Sequence, residues 1–139
     1  APNYLVKGGF IFQELSATYL KAFGKDWQST APLNLLDALS SPEDYQKGRN
    51  KLVFLSATIP TPATTGYERI RNFIIAKVNG QEIADVASLI KAFQTPGADG
   101  LHTIEFADGK PKTIYLDARI SNAIDAELLK RGIPALSRQ

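Results

Sequence analysis

Short apolar runs separated by glycine and polar turns recur along the chain and favour β-strands. Residues 4–15 contain two such runs joined by Lys7, Gly8 and Gly9, which predicts a strand, a glycine loop and a second strand. The other strand signals lie at 51–59, 73–78, Ile83, 101–106 and 113–116. Because Asp108-Gly109 favours a tight turn, we expect the last two runs to pair as an antiparallel hairpin.

Apolar residues at helical spacing mark the helices. Ser16 is a suitable N-cap for a helix over 17–23, and Pro32 opens a second apolar segment that extends to Leu39. The predicted helices that follow are 86–93, capped by Asp85, and a C-terminal helix at about 121–131, whereas 27–30 reads as a connector.

The order of these elements predicts an α+β fold. We expect a small, mostly antiparallel sheet, closed as a β-barrel or sandwich-like, with helices at its openings. A length of 139 residues with 44% hydrophobic residues suffices for one core. We therefore interpret 1–139 as one domain that carries a helical insertion at about 24–50.

Composition excludes several classes of function. The 16 basic and 14 acidic residues leave a net charge of +2, which does not indicate binding to nucleic acid. We expect no membrane span, because no run of about eighteen apolar residues occurs. The sequence contains neither cysteine nor methionine. From the missing methionine we expect a chain that was either processed or cut from a longer polypeptide, and we favour a cut piece.

No catalytic or metal-binding group is predicted, so we expect a chain that is not an enzyme and needs no cofactor. The single histidine, His102, lies in a predicted strand and lacks a serine nucleophile motif to act with. The acidic pairs Glu43-Asp44 and Asp125 with Glu127 read as solvated charges on a turn and a helix.

The segment Lys7-Gly8-Gly9-Phe10 is the strongest candidate for binding. Successive backbone N–H groups in a glycine turn can converge on an anion such as a carboxylate. Two adjacent glycines can equally make a tight turn with no ligand. The segment alone leaves both interpretations open.

The wider sequence resembles a PDZ domain. Lys7-Gly8-Gly9-Phe10 is similar to the PDZ carboxylate-binding loop at Gly9 and Phe10, and 73–83 is similar to the strand, Val-Asn-Gly turn and approach to the groove helix. The residues Gly66-Tyr67, Gly132-Ile133-Pro134 and the insertion after Phe23 resemble the terminal PDZ module of Do-like (HtrA/Deg) serine proteases.

The resemblance implies a non-catalytic, peptide-binding accessory domain of a protein quality-control protease. An extended peptide would pair with residues 10–13, with its terminal carboxylate held by Lys7, Gly8, Gly9 and Phe10. The residues that would line the groove are Phe10, Ile11, Phe12, Val86, Ile90 and Phe93.

A second reading stays open, because the same side chains could fill the groove as core. The module would then serve oligomer assembly, through protomer contacts that include the insertion around 33–39. The expected partners are peptide or protein segments and other domains or protomers of the parent protease. An extracytoplasmic or organellar location also follows from the resemblance.

Overall fold

The computed structural model describes residues 3–41 and 51–139. Residues 42–50, with the Glu43-Asp44 pair and the end of the expected insertion, lie outside the described residues. The elements in chain order are β1 (Tyr4–Lys7), β2 (Phe10–Glu14), α1 (Ala17–Lys21), α2 (Trp27–Thr30), α3 (Leu33–Ser40), β3 (Val53–Thr58), β4 (Phe73–Val78), β5 (Gln81–Glu82), α4 (Val86–Ala92), β6 (Leu101–Phe106), β7 (Thr113–Asp117), α5 (Ala118–Lys130) and β8 (Ser137–Arg138).

All the strand pairs within residues 3–41 and 51–139 are antiparallel. Seven of the described strands follow the order β7-β6-β4-β3-β2-β1-β8, and β5 pairs with β4 outside this path. The predicted hairpin is confirmed, because β6 pairs with β7 from Leu101 with Asp117 to Glu105 with Thr113. The α+β class is confirmed too, with the sheet not closed into a barrel among the described residues.

The central strand β3 is buried on both faces. Val53 and Leu55 point into the core beneath α4, whereas Phe54 points into a second core against the helices α1 and α3. Side chains of a strand alternate between faces, so a strand covered on both sides reads as a continuous apolar run. The helices α1 and α3 therefore cover the sheet face opposite to α4.

Several boundaries differ from the predicted ones. The connector at 27–30 is a short helix, and α5 begins at Ala118 instead of 121 because the Asp117 side chain accepts a hydrogen bond from Ile120 N. The short strand expected at Ile83 lies at Gln81–Glu82, and β8 was not predicted. A two-residue strand is too short to leave a pattern of alternation.

Candidate functional site

The Lys7-Gly8-Gly9-Phe10 segment is a tight hairpin turn. Lys7 pairs with Phe10 across β1 and β2, so Gly8 and Gly9 alone form the connection. Both glycines have positive φ, +64° and +109°, as a two-residue hairpin of the primed type requires. The local sequence thus gives a turn with fixed geometry.

A carboxylate from α5 occupies the outer side of this turn. Asp125 Oδ1 accepts a hydrogen bond of 2.8 Å from Gly8 N, and Asp125 Oδ2 lies 2.7 Å from Lys7 Nζ. Lys7 Nζ also donates to Asn122 Oδ1 at 2.7 Å. The side chains of Lys7 and Asp125 are only 12% and 13% exposed, so this ion pair is largely withdrawn from water.

The inner side of the turn is held by the segment that follows β3. Ile59 N donates to Gly9 O at 2.8 Å, and Thr61 Oγ1 donates to Gly8 O at 2.6 Å. A Cβ on Gly9 would lie 2.7 Å from Ile59 O and 2.9 Å from Thr61 Cγ2. Position 9 therefore has no room for a side chain.

The open strand edge expected at residues 10–13 is absent, and this expectation is wrong. β2 pairs with β1 on one side, from Tyr4 with Gln13 to Lys7 with Phe10. On its other side β2 pairs with β3, from Phe10 with Thr58 to Glu14 with Val53. The main chain of β2 is thus paired within the sheet on both sides.

β1 itself lies where the peptide was expected. A peptide with its terminal carboxylate at the glycine turn would run antiparallel to β2, and β1 runs antiparallel to β2 with Lys7 at that turn. The helix α4 contacts both β1 and β2. The chain therefore fills this position with a strand covalently joined to the turn by Gly8 and Gly9.

Five of the six predicted groove residues pack in one cluster, and most of them are core, whereas Ile11 alternates with Phe10 and Phe12 on β2 and lies outside that cluster. Phe10, Phe12 and Val86 are fully buried, and Phe93 is nearly so. Ile11 and Ile90 are half-buried. The rings of Phe12 and Phe93 lie 5.8 Å apart between centroids, so aromatic side chains fill the space between β2 and α4.

His102 lies beneath α4 as part of a buried polar contact. Its Nδ1 is 2.9 Å from Asn79 Nδ2, and its ring makes an edge-on contact with Phe93 at 4.9 Å. Burial, aided by the charge of Lys7, lowers the pKa of His102 to about 4. Because the Asn79 amide faces Nδ1 as a donor, protonation of that nitrogen would place two donors against each other.

This contact predicts acid sensitivity. The unfolded chain has a histidine pKa of about 6.5, so it binds a proton as the pH falls through 6.5. In the folded chain His102 binds this proton only when the pH approaches about 4. Between pH 7 and pH 5 the free energy of unfolding should fall by about 2 kcal/mol. Urea unfolding at both values measures this loss.

The control for this prediction is His102→Leu, which should be less stable at both pH values and lose most of the difference between them. An equal pH dependence in the two proteins would contradict the role given to His102.

Two side chains that contact the turn, those of Asn122 and Asp125, were not predicted to do so. Asp125 was interpreted as a solvated charge, and this interpretation is wrong because its side chain is 13% exposed. The sequence did offer one signal, because Asp125 lies at helical spacing from Ser121 and Leu128 and so on the same side of α5. In the structure Ser121 is buried and Leu128 is half-buried. The spacing indicates a packed face but not what that face contacts.

The described residues include no group of three or more side chains suited to hold a metal ion. Within the same ranges, none of the helices has the length and apolar character needed to cross a bilayer.

Comparison with known proteins identifies the family. No curated protein matches the chain. A family model described as a PDZ domain matches residues 1–135, nearly the full length. PDZ domains are typically non-catalytic modules of protein interaction that bind peptides or proteins. With an antiparallel sheet, the groove helix α4 and a glycine turn ahead of β2, this chain belongs to the PDZ domain family.

Proposed function

We propose that this chain is a non-catalytic assembly module of a Do-like serine protease, and that it contacts other domains or protomers of that protease. The observation that carries the proposal is the pairing of β2 on both sides, since it removes the usual place for a free peptide. An extracytoplasmic or organellar location belongs to the same proposal.

The helical insertion and Phe23, which directly precedes it, offer a surface for such contacts. Leu33 at the start of α3 is 76% exposed, and Phe23 and Leu39 are 40% and 36% exposed. Burying one large apolar side chain contributes about 1.5–3 kcal/mol, so three such residues can make a substantial part of an interface. In this proposal Leu33 lies at the centre of the contact.

Sedimentation of the chain at increasing concentration tests the assembly role. We expect self-association that Leu33→Asp weakens at least about tenfold, because a buried charge would replace an apolar contact. The matched control is Leu129→Asp on α5, since Leu129 is also exposed, at 47%. The proposal would be refuted if both variants associated as strongly as the unchanged chain. It would also be refuted if the unchanged chain stayed monomeric.

A second candidate function is capture of a peptide carboxylate at the glycine turn. The observation that favours it is that Gly8 N and Lys7 Nζ already bind a carboxylate, that of Asp125. A free C-terminus would have to displace Asp125, and it would find β1 in place of an open strand edge. Lys7 and Gly8 would make the contact, beside Gly9 and Phe10.

Nuclear magnetic resonance with free C-terminal peptides separates the two functions. The assembly role predicts that the Gly8 amide signal stays unchanged on addition of peptides, even in an Asp125→Asn variant. A shift of the Gly8 signal that is lost with amidated peptides would establish carboxylate capture instead. Amidated peptides are the matched control because they keep every side chain and lose only the terminal charge.

A further inference from the structure

The outer edge of β1 already carries an added strand, and this strand belongs to the chain itself. Beyond α5 the backbone turns at Gly132, with φ of +105°, and returns to β1 as β8. Leu5 pairs with Ser137 and Tyr4 pairs with Arg138. Val6 N donates to Leu136 O at 2.6 Å. A short extended segment thus binds here in the manner of a peptide ligand.

Contacts of the Tyr4 side chain give this edge a preference among the segments that could pair with it. The Tyr4 hydroxyl donates to Ala135 O at 3.0 Å, and the guanidinium carbon of Arg138 lies 5.9 Å from the centre of the Tyr4 ring. A cation at this distance from an aromatic face is attracted to it. The edge therefore selects an extended main chain with a basic residue over Tyr4.

The segment at 135–138 is weakly held. Its two paired residues are exposed, and Leu136 is half-buried. Each hydrogen bond contributes about 1 kcal/mol net, so the few main-chain and side-chain contacts of this segment resist opening by a few kcal/mol at most. Segments with few buried contacts open locally long before the whole domain unfolds.

We propose that the outer edge of β1 is a strand-addition site for an extended segment of a partner protein with a basic residue over Tyr4. Residues 135–138 occupy this site and compete with the partner. The site is separate from the β2 side of the glycine turn, and its partner needs no terminal carboxylate. The proposal goes beyond assembly through the insertion and stands without it.

The test uses a shortened chain that ends at Pro134 and a peptide with the sequence of residues 133–139, acetylated and amidated. An intramolecular segment competes at an effective concentration of about a millimolar, so the peptide should bind the shortened chain at least about tenfold more tightly than the full chain. Calorimetry gives the affinities, and the Val6 amide signal should move on binding.

Matched controls separate strand addition from unspecific binding. A peptide methylated on the backbone nitrogen of its arginine should lose most of its affinity, because it cannot donate to the edge. Tyr4→Leu in the shortened chain should weaken binding about three- to tenfold, since the hydroxyl and the aromatic face are lost together.

Equal affinity for the full and the shortened chain, or no binding to a folded shortened chain, would overturn the proposal. Dimerisation of the full chain, with no peptide binding to the full or the shortened chain, would also overturn it. That result would indicate that two copies of the chain exchange residues 135–138. If circular dichroism shows that the shortened chain does not fold, the full-length Arg138→Gly variant replaces it. That variant should bind the peptide about threefold more tightly than the unchanged chain.

Discussion

Replacement of Asp125 by alanine is expected to lower the free energy of unfolding by about 3 kcal/mol. The substitution leaves the Lys7 ammonium, which is 12% exposed, without its carboxylate, and it leaves Gly8 N without its acceptor. An ion pair withdrawn from water is costly to break from one side, because the remaining charge stays poorly solvated. Urea unfolding followed by circular dichroism measures the change.

Glu127→Ala on the same helix is the matched control. Glu127 pairs with Arg131 at 3.0 Å, but these side chains are 48% and 75% exposed. Solvent screens such a pair, so its loss should cost less than about 0.5 kcal/mol. Similar losses from the two substitutions would mean that the contact with Asp125 does not secure the turn.

Replacement of Gly9 by alanine is expected to destabilise the fold by about 3–5 kcal/mol. Its φ of +109° disfavours any residue with a Cβ. The added Cβ would also meet Ile59 O at 2.7 Å, which is backbone and cannot turn away as a side chain could. Thermal and urea unfolding both report the loss.

Comparison with Gly24→Ala separates the steric part of this effect from the backbone strain. Gly24 has the same φ, +109°, but a Cβ there would meet nothing within 4 Å. It should therefore cost only the backbone strain, about 1–2 kcal/mol. If both variants lost the same stability, the close approach of Ile59 to the turn would be refuted.

Local sequence signals predicted most elements of the fold. The N-cap of α4 is an example, because Asp85 accepts from Ser88 N as predicted, and the structure adds the reciprocal bond from Asp85 N to Ser88 Oγ. The adjacent glycines predicted a loop between two strands, which the structure forms as a tight turn, and alternation predicted the β6–β7 hairpin. Each of these signals involves residues only a few positions apart, so a single sequence can reveal it.

The state of the site depends on long-range contacts, and these could not be predicted. Gly8 and Asp125 are 117 positions apart in the sequence, and no local pattern predicts their contact. The place of β1 beside β2 is different, because it follows from the two-residue length of the turn, which is a local signal. The resemblance to other PDZ domains led instead to an open loop and a free edge.

The most direct test of this account is amide hydrogen exchange along β2. Glu14 N donates to Asn3 O across the β1 side, so by alternation the amides of Phe10 and Phe12 point to β1 as well. With β1 in place, the amides of Phe10 and Phe12 should be as protected as those of Ile11 and Gln13, which point to β3. Rapid exchange at Phe10 and Phe12 alone would show an open edge and contradict the closed groove.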